Sequence, residues 1–218
     1  MKERAAIRGV IFDMDGVLVD SERLYLRFWR EASAALGFSM SEEQALSLRS
    51  NSPEAAIPKF RAWFGEGADY YAIRELRRER MARYIDAHGV ALKEGAADTL
   101  AALKTKGYRI ALATSSPARR AAKYLPPALF DAFDAVVSGA DVARSKPAPD
   151  IYLRAAEALS LRPEQCMAVE DSPTGVEAAR AAGCFTVMVP DMTQPDEATR
   201  AKCGCVLTRL PELLTLLA

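Results

Sequence analysis

The stretch Gly9-Val10-Ile11-Phe12-Asp13-Met14-Asp15-Gly16-Val17 decides the fold, because a short apolar run stops at two acids and a glycine. Such a run reads as a buried parallel strand whose C-terminal end opens to solvent. In doubly wound α/β sheets that end is where ligands bind. Asp13 and Asp15, two residues apart on an extended chain, point to the same side and can share one substrate. Gly16 lets the backbone turn away with no side chain in the path. Taken alone, the segment reads equally well as an acidic turn after a strand. The other strand ends decide between the two.

From Tyr108 onward the pattern is strand, loop and helix, repeated. Residues 108–113, 135–137, 166–169 and 184–189 are apolar runs of strand length, each followed by turn residues and usually by a helical pattern. That alternation predicts an α/β fold, a Rossmann-like doubly wound parallel sheet covered on both faces. Ser116-Pro117 and Ser172-Pro173 each place a capping hydroxyl before a proline at the expected first helical position, and Gly183 closes the second helix.

Residues 21–92 behave differently, with helical runs and no strand-like one. Leu24, Tyr25, Phe28, Trp29, Ala32 and Leu36 recur at spacings of three and four, with Gly37 as the stop. Ser41-Glu42-Glu43-Gln44 is a capping box, Ser52-Pro53 starts a further helix, and residues 70–87 form a long arginine-rich one. This block is too long for a simple crossover between two strands. The expected organisation is a core of residues 1–20 and 93–218 with an inserted all-helical cap, residues 21–92, joined at hinges near Asp20 and Glu94.

Composition narrows the class. The 218 residues are 50% hydrophobic, enough for a substantial core, and Lys plus Arg and Asp plus Glu both number 29. A balanced charge argues against a general nucleic-acid binder. No apolar stretch approaches the roughly 20 residues of a membrane span, so no membrane partner is expected. Residues 1–8 are charged and lead straight into the first strand, which leaves no signal peptide to expect. Cys166, Cys184, Cys203 and Cys205 read as reduced structural thiols, since a lone C-x-C without a second ligand pair is weak evidence for a metal. A cytoplasmic location follows, and a monomer is expected.

Four strand ends carry chemistry. Asp13 and Asp15 follow the first strand, Thr114 and Ser115 the second, Lys146 lies downstream of the third, and Glu170 and Asp171 follow the fourth. Each has an ordinary reading as a turn former, a surface lysine or a helix-dipole partner. In a parallel sheet, however, all four ends face one rim. Carboxylates gathered there repel each other, at about 4 kcal/mol per pair at about 4 Å and an effective dielectric near 20, so a hard cation is required. Mg²⁺ fits oxygen ligands best. A phosphate substrate makes sense of the lysine and hydroxyls. Asp13 is expected to attack phosphorus in line, giving an aspartyl-phosphate. Asp15 would protonate the leaving oxygen and then activate water, Thr114 would hydrogen-bond the moving oxygens, and Lys146 would balance charge. Asp171, Asp13 and the Asp15 carbonyl would hold the metal, with Glu170 steadying it directly or from behind.

Asp13-x-Asp15-Gly16-Val17, Thr114-Ser115, Lys146-Pro147 and Glu170-Asp171-Ser172-x-x-Gly175 together resemble the four ordered motifs of the haloacid dehalogenase (HAD) superfamily. The helical insertion resembles the cap of the subgroup that includes beta-phosphoglucomutase and phosphoglycolate phosphatase. The resemblance implies a Rossmann-like core, a four-helix cap that opens and closes, and Mg²⁺-dependent phosphoryl transfer, with the residue roles above. Asp15 disfavours the dehalogenase and phosphonatase branches, which lack an aspartate there. Tyr25 stands where the mutases commonly carry a histidine, which disfavours mutase activity. The lone histidine, His88, reads as a surface or packing residue.

Substrate contacts are expected from the cap and the second strand end. Arg74, Arg77 and Arg78 share a helical face, mostly as a solvated one, with Arg78 the candidate to reach an anionic substrate. The Arg49-Ser50-Asn51-Ser52 loop offers Arg49 and Asn51 to sugar hydroxyls, and Ser115 and Ser116 are set to meet the substrate near the leaving group. The expected activity is a phosphatase for a small phosphorylated metabolite, a sugar phosphate by preference. The alternatives are a phosphosugar mutase and a receiver-type phosphoacceptor protein.

Overall fold

In the computed structural model, which describes residues 6–217 apart from Ser50 and Ser52, the chain divides into two compact units: residues 1–20 with 90–218, and residues 21–89. The expected helix start at Ser52 and the serines of the 49–52 loop therefore lie outside the described residues.

The first unit is built on six strands: β1 Gly9–Phe12, β2 Arg109–Thr114, β3 Ala135–Ser138, β4 Cys166–Glu170, β5 Phe185–Met188 and β6 Cys205–Val206. Their spatial order is β3-β2-β1-β4-β5-β6, and every pairing is parallel. This is an α/β Rossmann-like fold. In chain order the helices are α1 Ser21–Ala35, α2 Glu42–Leu46, α3 Pro53–Phe64 and α4 Tyr70–His88, which make the second unit. They continue with α5 Ala96–Thr105, α6 Ala118–Tyr124, α7 Pro127–Phe130, α8 Asp150–Ala158, α9 Pro173–Ala181 and α10 Glu197–Arg200, which link the strands of the first.

β1 and β4 are buried at every residue, which is why they read as uninterrupted apolar runs rather than as alternating ones. The chain builds outward from β1 through β2 to β3, then restarts at β4 on the other flank of β1. Phe12 pairs with Leu112 on one side and Val169 on the other. Strand order thus reverses between β1 and β4, and the crevice for a ligand opens beyond their C-terminal ends. The core beneath includes Ile11, Ala111, Ile151, Tyr152, Ala155, Ala168 and Ala179.

The expected role of Ser116 needs correction, and β6 is a strand that was not expected. Ser116 does not cap α6: Pro117 is the N-cap, with no side-chain cap hydrogen bond, and the Ser116 hydroxyl is used elsewhere. The Cys203-Gly204-Cys205 segment leads into β6, a two-residue edge strand that the sequence pattern does not announce. There the Gly204 N–H donates to Thr186 O at 2.7 Å.

Where the chain leaves and re-enters the first unit, Val19 and Leu92 form an antiparallel bridge. The Asp20 N–H donates to Ala91 O at 2.8 Å and the Lys93 N–H to Leu18 O at 2.9 Å. The second unit has its own core, with Trp29, Ala32, Met40, Phe60, Tyr70 and Ile73 at its centre. The Phe60 ring lies 5.0 Å from Tyr70 and 5.5 Å from Trp29. The Ser41 capping box forms as expected: Gln44 N donates to Ser41 Oγ at 3.0 Å, and Ser41 N to Gln44 Oε1 at 2.8 Å. Leu36, expected on the apolar stripe, lies beyond the end of α1 and is exposed.

Candidate active site

Asp13 follows β1 directly, and its N–H donates to Val169 O at 3.0 Å, which ties it to the reversal point. Its side chain is buried. Lys146 Nζ stands 2.5 Å from Asp13 Oδ1 and 2.5 Å from Glu170 Oε1, with Ala113 O at 3.3 Å. All three donors of the ammonium are engaged. Burial alone lowers the Lys146 pKa, but the charges of Asp13 and Glu170 more than offset it and hold the ammonium above its ordinary value. Burial raises the Asp13 carboxyl to about 7, with Lys146 opposing the rise and Glu170 and Asp15 adding to it.

Asp171 completes a buried acidic cluster. Asp13, Glu170 and Asp171 offer oxygens that all lie within 4.8 Å of one another. Three carboxylate side chains gather beside one ammonium. An all-oxygen set of this kind fits a hard divalent cation such as Mg²⁺. Two glycines make the crowding possible. Gly16 has φ +83°, and a Cβ on it would run into the Asp171 carboxylate; a Cβ on Gly175 would fall inside the Glu170 carboxylate. Glu170 is heavily committed to neighbouring donors. Its Oε1 accepts from Lys146 at 2.5 Å and from the Tyr152 hydroxyl at 2.6 Å. Its Oε2 accepts from Asp171 N at 3.1 Å, Ser172 N at 3.4 Å and Ser172 Oγ at 3.1 Å.

On the β2 flank, Thr114 is fully buried and its Oγ1 accepts from Ser116 N at 3.0 Å. Ser116 Oγ donates to Asp15 Oδ2 at 3.1 Å and accepts from Arg120 at 3.2 Å. The Asp15 carboxylate therefore leans toward β2, outside the three-carboxylate cluster, and its backbone carbonyl remains its expected contact with a metal. Ser115 is exposed. A carboxylate beside a buried ammonium, an acidic cluster on one flank and a hydroxyl-held second carboxylate on the other is a set suited to moving a phosphoryl group.

Residues 7–183 match the family model of the haloacid dehalogenase-like hydrolases, most of the chain. The chain belongs to that family. Among its relatives, the protein CbbY of Rhodobacter capsulatus is 34% identical over 219 residues, covering 95% of this chain and 94% of that protein. A phosphorylated carbohydrates phosphatase of Thermotoga maritima is 34% identical over 180 residues, covering 81% and 82%. The crystal structure of a HAD family hydrolase from Deinococcus radiodurans R1, with bound phosphate and sodium, superposes with a TM-score of 0.83 at 29% identity, covering 98% of this chain and 96% of that one. The HAD-like hydrolase is accordingly an enzyme of the phosphoric monoester hydrolase type, and the receiver-domain alternative falls away. No helix among its described residues is long and apolar enough to cross a membrane.

The helical unit of this HAD-like hydrolase holds the remaining expected residues, each in local contacts. Arg49 donates to Glu22 at 2.9 Å, Asn51 Nδ2 to Ser47 O at 2.8 Å, and the exposed Arg78 meets Glu75 at 3.4 Å. Arg77 is the exception on α4. It is buried, its guanidinium lies 4.8 Å from the Tyr25 ring and 4.7 Å from Trp29, and it makes no ion pair among the described residues. Its Nε has no hydrogen-bond partner among the described residues, and burial lowers its pKa. His88 is exposed, stacked on Tyr84 at 4.4 Å. Burial pushes the thiols of Cys166 to about 11 and Cys184 to about 12, so both are inert. Tyr152 and Arg120 escaped sequence reading, because a tyrosine and an arginine at helical spacing look like core and surface.

Proposed function

We propose that this HAD-like hydrolase is a Mg²⁺-dependent phosphatase for a small phosphorylated sugar, working through an aspartyl-phosphate on Asp13. The observation that carries the reading is the Lys146 ammonium held at 2.5 Å from both Asp13 Oδ1 and Glu170 Oε1. It brings an ammonium, the Asp13 carboxylate and an acidic cluster together at one strand-order reversal, which supports that reading. Lys146 orients the Asp13 carboxylate and offsets the repulsion between it and an incoming phosphate dianion. Asp13 then attacks phosphorus in line while the leaving oxygen departs with a proton from Asp15, whose carboxylate Ser116 keeps aimed. Thr114 and the backbone after β2 receive the phosphoryl oxygens. In the second half, Asp15 takes a proton from water, which attacks the same phosphorus and restores Asp13. Asp13, Asp171 and the Asp15 carbonyl would hold the Mg²⁺, with Glu170 behind them. When bound it would neutralise charge on the phosphoryl oxygens.

The helical unit is proposed as the specificity cap. The phosphatase named for phosphorylated carbohydrates and the phosphate held by the Deinococcus radiodurans structure support the substrate class. Within the unit, Arg77 is a better candidate than Arg78 for an anionic substrate group, since a buried guanidinium without a carboxylate is incomplete on its own. Four free cysteines support a reducing, cytoplasmic setting. The test is Mg²⁺-dependent phosphate release from p-nitrophenyl phosphate and a panel of sugar phosphates. Turnover is expected to vanish in Asp13→Asn and on chelation; full turnover in that variant overturns the nucleophile assignment.

A further inference from the structure

We propose that Tyr152 is a positioning residue for this reaction: its hydroxyl holds Glu170 so that the Lys146 ammonium stays on Asp13. The inference rests on the phosphatase reading above and assigns a role within it that none of the four motifs contains.

Tyr152 lies in the first turn of α8, six residues beyond Lys146, and none of its surface is exposed. Its ring packs in the sheet core with Ile151, Ala155, Ala168 and Cys184. A phenylalanine would fill that volume equally well, and a buried phenol is costly unless its O–H finds an acceptor. The acceptor it finds is Glu170 Oε1, at 2.6 Å. The same oxygen receives Lys146 Nζ at 2.5 Å, and the ammonium also lies 5.1 Å from the centre of the Tyr152 ring. Tyrosine therefore touches both partners of the pair that reaches the nucleophile.

The consequence follows from charge. One ammonium is shared between two buried carboxylates, Asp13 and Glu170, each at 2.5 Å. Whichever carboxylate is less satisfied by other donors pulls the lysine toward itself. Glu170 Oε2 is satisfied by Asp171 N, Ser172 N and Ser172 Oγ. Among the described residues, Oε1 receives only Lys146 and Tyr152. Without the phenol, Oε1 would draw on the ammonium alone, and the lysine would serve Glu170 at the expense of Asp13. A second donor on Oε1 weakens that pull and fixes the oxygen in place.

The variant is Tyr152→Phe, which keeps the ring and removes only the hydroxyl. With p-nitrophenyl phosphate and saturating Mg²⁺, kcat is expected to fall about tenfold with KM within about twofold, the low end of what outer partners of reacting groups cost. The thermal midpoint is expected to stay within a few degrees. The decisive arm is a double-mutant cycle with Lys146→Met, followed at high enzyme concentration. If the hydroxyl acts through the lysine, adding Tyr152→Phe to Lys146→Met changes the residual rate less than about twofold. An equal loss in both backgrounds, or an unchanged kcat in the single variant, overturns the proposal. An independent readout is the Lys146 side-chain resonance in ¹³C-lysine-labelled protein, assigned by its loss in Lys146→Arg. It is expected to move in Tyr152→Phe, and an unmoved signal overturns the role. If the wild-type protein proves unable to release phosphate, the phosphatase reading fails, and this resonance alone decides whether Tyr152 positions Lys146.

Discussion

Ser116 Oγ donates to Asp15 Oδ2 at 3.1 Å, joining residues 101 positions apart, and this hydrogen bond aims the second carboxylate of the site away from the acidic cluster. The two aspartates of the first strand end are thereby given different surroundings: Asp13 is buried against an ammonium, and Asp15 is partly exposed beside a hydroxyl. Different surroundings are what the proposed roles of nucleophile and acid–base require of two identical side chains.

Asp15→Asn is expected to separate the two half-reactions. p-Nitrophenolate leaves without a proton, so the variant should release a burst of it equal to the enzyme present and then stall as a phosphoprotein. Rapid-quench measurement of the burst and intact-mass detection of the added phosphoryl group check this. Steady turnover without accumulation would show that Asp15 is not the base for hydrolysis.

Lys146→Met should cost stability as well as activity. Removing one partner of a buried ion pair typically costs about 3–5 kcal/mol, because the remaining charge is left uncompensated. Here three buried carboxylates would face each other. The variant is expected to show a lowered urea midpoint that added Mg²⁺ partly restores, with phosphatase activity reduced to a small residual rate. An unchanged midpoint would mean the ammonium contributes little to the cluster.

The stabilisation given by Mg²⁺ should grow with pH. Burial holds the metal-free Asp13 carboxyl at about 7, against 3.8 for the free side chain. Between those values the native state binds the extra proton, so this group's contribution to stability falls as pH rises through that window. A cation favours the ionised form and reverses the loss. The Mg²⁺-induced rise in thermal midpoint is therefore expected to be small near about pH 5 and large near about pH 8. Equal rises at both would contradict the placement of Asp13 in the metal site.

Gly175→Ala puts a methyl group where the Glu170 carboxylate lies. Overpacking of this kind typically costs about 1–3 kcal/mol, and the displaced Glu170 would carry Lys146 with it. Unfolding by urea and kcat should both report the damage. Gly175→Ala at wild-type activity would mean that the position of Glu170 does not matter.

Arg77→Met and Arg78→Met are expected to diverge. Arg77 is buried without an ion pair among the described residues, so an apolar replacement should leave the thermal midpoint level or higher, while KM for anionic sugar phosphates rises relative to p-nitrophenyl phosphate. Arg78 is exposed beside Glu75, and its loss should change neither. Matching KM values for Arg77→Met and the wild type would remove Arg77 from substrate binding.

The strands that carry the site were readable from the chain because each is an apolar run cut off by a polar residue, as Phe12 is followed by Asp13 and Val169 by Glu170 and Asp171. Burial on both faces and chemistry at the rim leave that signature directly. What escaped depends on direction, which spacing does not encode. Ser116 looks like a helix cap, but its hydroxyl turns to Asp15. Tyr152 looks like core, and its ring is core, but its oxygen meets Glu170. Arg77 and Arg78 are neighbours in sequence, yet one is buried against Tyr25 and Trp29 and the other is exposed. β6 was missed for a different reason: two half-buried residues at an edge carry no pattern to detect.

The backbone bridge of Val19 to Leu92 means that the polypeptide departs from the sheet and comes back at nearly the same point. To the strands, everything in between is a closed excursion, and its size enters their free energy only as a slowly growing logarithm. A chain wired in this way can trade its insert for another of different length or sequence while the reacting groups keep their scaffold. The strand-end site and the insert are thus free to change at separate rates.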